Sequence, residues 1–286
     1  MKKLVTALLA GMGILCSLQA NNSKEFKEHL TKEFSVSKST GSLLYIYNIT
    51  GYIKVEGYSG DKVIIDMDKT ITADDDKNLE AGKKEFRLGF DQKSDTVTAY
   101  IADPFDSRPH RHWYREDRSD YDYDFKVNFT VKVPEGMNLH ISTVNDGIIE
   151  VNNVTGNLHI DNVNDKIVVK NARGTTYAHT VNGDVTVMYQ SNPSEESSYY
   201  TINGNISVSY KPGLSADLQF KSMNGDFYTD FTDVQRLPAT VTKASEKNGD
   251  GVVYKLNALT SVRFGKGGKT FKFETLNGNV YIKKQS

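Results

Sequence analysis

Hydrophobic and polar positions alternate with period two along most of this chain, and a short phrase recurs within that alternation. The phrase joins a small polar residue, an apolar residue, Asn, and then Gly or Asp. Its six copies are Thr143–Asp146, Asn162–Asp165, Thr180–Gly183, Thr201–Gly204, Ser222–Gly225 and Thr275–Gly278. Most copies are followed by two apolar residues separated by a spacer, as in Val185 and Val187. A repeat of about 20 residues is typical of architectures built from stacked units.

A second regularity gives the size of the unit. Gly147, Gly156, Asp165, Gly174 and Gly183 lie nine residues apart. Each marks a turn and each interval holds one strand, so two strands and two turns make one coil. Asn and Gly suit such turns because both tolerate a positive φ. The pattern predicts an all-β fold: a single-chain parallel β-solenoid with antiparallel hairpin insertions.

The asparagines of the phrase are predicted to form a ladder along the solenoid. Stacked copies place equivalent turn residues above one another, and side-chain amides in such a file bond to their neighbours. We expect the ladder to be buried, with its polar groups satisfied by one another. Its members are Asn145, Asn164, Asn182, Asn203, Asn224 and Asn277.

The first half of the chain departs from the strict repeat. Ser23–Lys32 has Phe26 and Leu30 four residues apart, which favours a short amphipathic helix or a frayed lead-in. The Asn48–Gly51 turn resembles a degenerate seventh copy. A helix is predicted over residues 74–84, a hairpin over 86–101 and strands over 125–133.

Two segments interrupt the pattern, residues 103–124 and 230–259. The first is highly charged and aromatic, and the second contains a Gly-rich stretch typical of a hairpin tip. We treat both as insertions in one solenoid domain that covers residues 21–286.

Residues 1–20 have the features of a signal peptide. Lys2 and Lys3 precede an uncharged apolar run, and Ala20 provides a small residue at the cleavage site. Cys16 is the single cysteine, and the bulky Leu15 before it disfavours lipid anchoring. The mature chain is then expected to be exported, to the periplasm or the cell surface, with no integral membrane segment and no disulfide.

Charge argues against a nucleic-acid partner. The chain has 35 basic and 36 acidic residues, and removing the signal peptide deletes two lysines and no acid, leaving a net charge of −3. A nucleic-acid-binding domain usually carries a basic excess.

The 103–124 segment holds the candidate binding residues. Aromatic side chains mixed with arginines are typical of protein-binding or sugar-stacking surfaces. The alternative is that these aromatic rings lie back over the solenoid. The candidates are Arg111, Trp113, Tyr114, Arg115, Tyr121 and Tyr123.

The same segment contains a weak metal candidate. His110 and His112 would face the same way on a strand and could ligate Zn²⁺ together with a carboxylate. Four arginines in the segment disfavour a cation, so we expect no metal and no other cofactor.

Aspartates beside the turns raise the alternative of a carbohydrate-active enzyme, because paired carboxylates serve as acid and base in glycoside hydrolysis. However, Asp146, Asp165, Asp184 and Asp226 recur in step with the phrase. Turns favour Asp at such positions, whereas a catalytic pair should be singular. We therefore predict that the chain is not an enzyme.

Three stretches resemble the bacterial exported family catalogued as putative adhesins, which is rich in T-V-N-G-D-I-type repeats. They are Asn48–Val63, Phe125–Val187 and Phe264–Ile282. The resemblance implies a β-solenoid and an exported protein but supplies no catalytic residues. Residues 103–124 and 230–259 are the departures from it.

The expected function is a non-enzymatic cell-envelope protein, an adhesin or binding scaffold. Its repeat surface would bind an envelope protein or a glycan. The alternatives are a carbohydrate-active enzyme on the same scaffold and a periplasmic accessory protein in envelope stress.

Overall fold

The computed structural model describes residues 23–37, 41–109, 121–238, 241–243, 254–256 and 259–286. The fold is all-β, with two large mixed sheets, a two-stranded hairpin and, in the described part, one short helix, α1 (Asp76–Glu85). Nothing among these residues is a helix of the length and apolarity needed to cross a bilayer. The predicted signal peptide lies outside the described residues.

Sheet A has ten strands. They are β1 (Lys24–Ser35), β3 (Ile53–Tyr58), β4 (Lys62–Ala73), β7 (Tyr123–Pro134), β9 (Ile149–Asn152), β11 (Ile167–Ala172), β13 (Val185–Tyr189), β15 (Ile206–Tyr210), β17 (Phe227–Thr229) and β23 (Val280–Lys284).

Sheet B has eleven strands. They are β2 (Leu43–Tyr47), β5 (Arg87–Lys93), β6 (Thr96–Asp103), β8 (Asn138–Ser142), β10 (Leu158–Asp161), β12 (Thr176–His179), β14 (Ser197–Asn203), β16 (Ala216–Asn224), β18 (Val234–Arg236), β21 (Thr260–Phe264) and β22 (Lys269–Asn277). The separate hairpin joins β19 (Val241–Lys243) and β20 (Tyr254–Leu256).

Between residues 138 and 210, consecutive strands alternate between the two sheets and pair in parallel with their equivalents in neighbouring coils. Ile167 is paired with Val185, and Val185 with Ile206. On sheet B, Leu158 is paired with Leu139 and Thr176. Because side chains alternate across a strand, the apolar residues of both sheets face one another. They form one buried core between the sheets.

The stacking order differs from the chain order at both ends. The last strand pair, β22 and β23, lies between β14–β15 and β16–β17. The first coil, β2–β3, lies likewise between β8–β9 and β6–β7. At each end of this stack of parallel strand pairs, the first or last pair in the sequence therefore lies one place inside the end of the stack. The pair β22–β23 lies inside β16–β17, and β2–β3 lies inside β6–β7. The Thr275–Gly278 phrase consequently stacks directly on Thr201–Gly204.

Antiparallel strands complete both ends. β4 pairs with β1 and β7, and β21 pairs with β16 and β18. The predicted hairpin over 86–101 is confirmed as β5–β6, and the predicted helix is confirmed as α1. The Asp75 side chain caps α1 by accepting a hydrogen bond from the Asn78 N–H at 2.7 Å. Most of the predicted tip in the 230–259 insertion lies outside the described residues.

The predicted N-terminal helix is wrong, because Lys24–Ser35 forms the edge strand β1. Phe26, Leu30 and Phe34 all pack against the core. A spacing of four residues satisfies both the helical period and the strand period. The adjacent strand β4 decides between them, since it pairs with β1 over the full length of both strands.

The six phrase asparagines form one continuous file of hydrogen bonds. The Nδ2 donors of Asn164, Asn182, Asn203, Asn277 and Asn224 bond to the Oδ1 atoms of Asn145, Asn164, Asn182, Asn203 and Asn277, respectively, at 2.7–2.9 Å. Every bond points the same way. The expectation of a buried ladder is wrong, however, because all six side chains are exposed on the outside of the turn.

A second polar file is formed by the first residue of each phrase, which points into the corner and is buried in every copy except the partly buried Ser222. Each of these side chains donates to a carbonyl of the adjacent coil, at 2.8–3.3 Å. The donors are Thr143, Asn162, Thr180, Thr201, Ser222 and Thr275. Five of these six donors are short hydroxyls, and the sixth is the buried amide of Asn162. The inner file satisfies carbonyls that the corner removes from the strand ladders.

Candidate functional site

The outward positions of five adjacent strands in sheet B carry rings and imidazoles, which we call the His–Tyr face. Its members are Tyr45, Tyr47, His140, His159, Asp161, Tyr177, His179 and Tyr200. They occupy outward positions because they alternate with core residues such as Ile46, Leu158 and Ala178, and Tyr47 alone among them is buried. Parallel pairing places Tyr45, His140, His159 and Tyr177 in one row. The other members form the next row.

The rings of the face contact one another across the strands. The His140 and His159 rings are stacked, with their centroids 4.2 Å apart. Tyr45 lies 5.3 Å from the His140 ring, and Tyr177 lies 6.0 Å from the His159 ring. The file is continuous because strands in a sheet are separated by about 4.8 Å, close to the spacing of packed rings.

Asp161 lies at the centre of three imidazoles. Its Oδ2 is 3.0 Å from His159 Nε2 and 3.9 Å from His140 Nε2. Its Oδ1 is 3.9 Å from His179 Nδ1. The opposite nitrogen of His179 lies 3.0 Å from Ser198 Oγ, within hydrogen-bonding distance. All four side chains of the cluster are partly exposed, so solutes can reach them.

The surroundings of His140 and His179 favour their neutral forms. Burial lowers the pKa of His140, and the neighbouring His159 lowers it further, while Asp161 partly offsets the shift. Burial likewise lowers the pKa of His179. Burial, followed by the charges of Tyr45 and Asp161, raises the pKa of Tyr47 to about 12. At neutral pH His140 and His179 therefore present neutral imidazoles, each with one nitrogen that donates and one that accepts.

Sequence reasoning missed this face, although a signal was present. The tripeptide Leu-His-Ile occurs at Leu139–Ile141 and again at Leu158–Ile160, one repeat later. His179 follows after 20 more residues. Histidines that recur at about the repeat spacing lie on one face of a parallel array. The spacing alone could therefore have predicted that these histidines are neighbours.

The predicted binding residues of the 103–124 segment are only partly described. Arg111, Trp113, Tyr114 and Arg115 lie outside the described residues, as do the metal candidates His110 and His112. Tyr121 and Tyr123 are described and do not stand free of the fold. The Tyr121 ring lies 5.0 Å from that of Phe105 and 5.7 Å from that of Tyr123, whose side chain is buried.

Residues 103–109 are also tied into the fold. Ser107 Oγ donates to the Tyr47 carbonyl at 2.6 Å and accepts from the Ile101 N–H at 2.9 Å. Arg108 pairs with Asp106 at 2.8 Å and covers the Tyr100 ring. Replacing residues 103–109 would therefore remove structural contacts.

Tyr121 and Tyr123 line an open cleft of about 820 Å³ beside α1. Its charged walls combine both signs, with Glu85 and Asp122 near Lys84 and Arg87. Burial, together with Glu85 and Tyr121, raises the pKa of Tyr123 to about 12.

Three of the four turn aspartates take part in hydrogen bonding at the turns. Asp165 Oδ1 accepts from the Lys166 N–H, and Asp184 Oδ1 accepts from the Asn205 N–H, both at 2.7 Å. The backbone N–H of Asp226 donates to Asn279 Oδ1 at 2.9 Å. Asp146 has a left-handed backbone, with φ 51°.

No family model and no curated protein matches the chain. Among solved structures, it is similar to one described as a putative cell adhesion protein from Clostridium sporogenes ATCC 15579. The identity is 9% and the TM-score 0.39, over 91% of this chain and 100% of that one. A putative adhesin from Bacteroides fragilis NCTC 9343 has 12% identity and a TM-score of 0.34, over 90% and 97% of the two chains. Likenesses this distant carry no argument about function.

Proposed function

We propose that this chain is an exported, non-enzymatic envelope protein that binds an envelope protein or a glycan through the His–Tyr face. The observation that carries the proposal is the continuous file of rings and imidazoles on the outside of sheet B. Aromatic side chains combine a large apolar area with a polar tip, and they are enriched where proteins bind partners. Tyr177 is 38% exposed and so is available for contact.

The scaffold in this proposal is a parallel β-solenoid. Three observations support that description: strands alternate between two sheets, equivalent strands pair in parallel, and the turn asparagines form one file. A stack of this kind holds a flat face in place, because each outward residue is fixed by the buried neighbours on its own strand. A rigid face loses little conformational entropy when it binds.

The opposite face of the molecule is different in character. One outward row of sheet A ends in the stacked rings of Tyr281 and Tyr228, 5.2 Å apart. In the middle strands of the sheet that row is occupied in turn by Glu150, Val168, Thr186 and Ser207. These are ordinary residues for the exposed side of a strand. The concentration of rings and histidines on sheet B is therefore not a general property of the repeat.

A non-enzymatic role is supported by the turn carboxylates. Asp165 and Asp184 accept backbone hydrogen bonds that hold the turns, which is the structural use expected of Asp at such positions. The two distant structural likenesses bear names that agree with an adhesive role, but the proposal does not rest on them.

The test compares two matched surface variants. The first replaces Tyr45, His140 and Tyr177 with Ser on sheet B, and the second replaces Glu150, Val168 and Thr186 with Ser on sheet A. Binding of labelled chain is measured on glycan arrays and on envelope preparations, with and without protease treatment, in the presence of a chelator. We expect the first variant to lose at least about tenfold in affinity, which corresponds to about 1.4 kcal/mol. The second should bind like the parent.

A third variant distinguishes binding by the His–Tyr face from binding by the 103–124 segment. It replaces residues 110–120 with a Gly-Ser linker of equal length, because residues 103–109 hold the fold. Equal binding by the parent and the sheet B variant would overturn the proposal, and loss confined to the linker variant would move the site to the segment. Glycan turnover by the purified chain would contradict the non-enzymatic role.

A further inference from the structure

We propose that His140, His159 and Asp161 form a binding site for one divalent transition-metal ion of the class that prefers imidazole, such as Zn²⁺. This site is a separate property from partner binding by the face. It is built from two adjacent strands of sheet B and opens to solvent.

The ligand atoms already lie close together. One nitrogen from each histidine and one Asp161 oxygen lie within 4.8 Å of one another. In a tetrahedral zinc site with bonds of about 2.0–2.1 Å, neighbouring ligand atoms are about 3.3 Å apart. The distances of 3.0 and 3.9 Å from Asp161 Oδ2 to the two Nε2 atoms fall on either side of that value. Small side-chain rotations would bring all three onto one ion.

Hydrogen bonding does not account for the whole cluster. A hydrogen bond between Asp161 and His159 explains their 3.0 Å separation. His140 and His179 lie 3.9 Å from the same carboxylate, which is beyond hydrogen-bond length. In the part of the chain that the structure describes, the ion pairs of Asp161 involve histidines alone. A cation would therefore meet imidazoles and one carboxylate, without a competing Lys or Arg ion pair to that carboxylate.

The site is held by its strands. Asp161 follows His159 by two residues, so both side chains leave β10 on the same side. Parallel pairing places His140 directly beside His159. The residues that flank the ligands along the strands, Leu139, Ile141, Leu158 and Ile160, are buried in the core. Sites on strands keep their geometry better than sites on loops.

His179 has a positioning role in this arrangement. It faces Asp161 Oδ1, the oxygen that the other two histidines leave free, and its far nitrogen lies 3.0 Å from Ser198 Oγ. If the 3.9 Å separation closes to a hydrogen bond when the ion binds, His179 would orient the metal-bound carboxylate. The chemistry of the ligands selects the ion, because imidazole suits Zn²⁺, Cu²⁺ and Ni²⁺, whereas Ca²⁺ and Mg²⁺ prefer oxygen. Three protein ligands also leave a coordination position open to solvent.

The test measures Zn²⁺ binding to tag-free, metal-stripped chain by titration calorimetry, with Co²⁺ absorption as a spectroscopic readout of tetrahedral coordination. We expect one ion per chain. His159→Ala and Asp161→Asn should each weaken binding by more than about 100-fold, and His179→Ala by about 10- to 100-fold. His159→Gln provides a second variant if the Ala replacement is poorly folded, and circular dichroism checks each fold.

His29→Ala is the matched control, because His29 also contacts a carboxylate, Asp68, at 2.8 Å on the outside of sheet A. It should bind Zn²⁺ like the parent. A double variant, His110→Ala with His112→Ala, tests the alternative pair. Absence of stoichiometric binding would overturn the proposal. So would an affinity that the double variant abolishes and His159→Ala leaves unchanged. Since no partner is present, the result is independent of the proposed function.

Discussion

Single residues at the turns are constrained by the next coil more than by their own backbone. Tolerance of a positive φ is the explanation that the sequence suggests for the turn glycines. That explanation is wrong for Gly183 and Gly204, because neither has a positive φ. A Cβ on Gly183 would lie 2.3 Å from the Asp165 carbonyl oxygen, and one on Gly204 would lie 2.1 Å from the Gly183 oxygen. Glycine occurs there because the coils approach closely.

Gly183→Ala should therefore destabilise the protein by about 1–3 kcal/mol, the usual effect of overpacking a tight contact. The measurement is urea unfolding at equilibrium. Gly136→Ala is the control, since a Cβ there meets nothing within 4 Å. Equal stability of the two variants would show that the coils can separate without cost.

The histidines predict that stability depends on pH, in opposite directions for His140 and His179 on sheet B and for His29 on sheet A. The pKa values of His140 and His179 are lowered in the fold, so their neutral forms are favoured and the unfolded chain binds more protons. Their contribution to stability is complete above the unfolded pKa of about 6.5 and is lost as pH falls through the lowered values. The pKa of His29 is raised, first by its hydrogen bond to Asp68, so it contributes stability at acid pH that is lost as pH rises.

Melting temperatures measured between pH 7.5 and 5 in the presence of a chelator test these signs. His179→Gln should reduce the loss of stability on acidification, because it removes a group that resists protonation. His29→Gln should increase that loss. Identical pH profiles for both variants would contradict the assignment.

At the scale of elements, the asparagine file couples turns that are distant in sequence. Asn203 accepts from Asn277 and donates to Asn182, although Asn277 lies 74 residues further along the chain. Asn224 ends the file and contributes one bond, to Asn277. The file therefore links the final coil to the middle of the array.

Asn203→Ala should lower the free energy of unfolding by about 1 kcal/mol, and Asn224→Ala should lower it by about half as much. Two ladder bonds are lost in the first case and one in the second, and exposed hydrogen bonds lie at the low end of the usual range. Chemical denaturation of both variants checks the ratio. A larger loss for Asn224→Ala would mean that the side-chain file is not what stabilises the turns.

For the whole molecule, the important feature is the inserted final coil. In a sequential array each repeat contacts only its neighbours in the chain, so an end deletion removes one unit. Here β22 pairs on one side with β14 and on the other with β16. The end of the chain thus closes a gap inside the sheet.

Deleting residues 260–286 should therefore disrupt the C-terminal half of the fold rather than trim it. We expect hydrogen exchange to lose protection in β14–β17, and the denaturant m-value to fall because less surface is buried in the native state. Deletion of the edge strand β1 is the matched control, and its effect should be confined to β4. Intact protection of β14 in the first variant would contradict this reading.

The sequence by itself determined which residues face inward and which segments repeat. Period-two alternation assigns Val185 and Val187 to the core, because successive side chains of a strand point to opposite faces. Recurrence of the phrase then predicts that its copies lie side by side, and the hydrogen-bonded asparagines do so. The hairpin over 86–101 and α1 were also predictable, since turn and capping residues act locally.

Only the tertiary structure decided what covers each strand and what its outward side chains meet. β1 is a strand because β4 pairs with it, and no local pattern contains that information. The insertion of β22 depends on contacts between residues more than 50 positions apart. His140, His159 and Asp161 come together because parallel pairing turns separation along the chain into a distance of a few ångströms. Local physical chemistry fixes the face on which a side chain lies, whereas the stacking of the sheets fixes its neighbours.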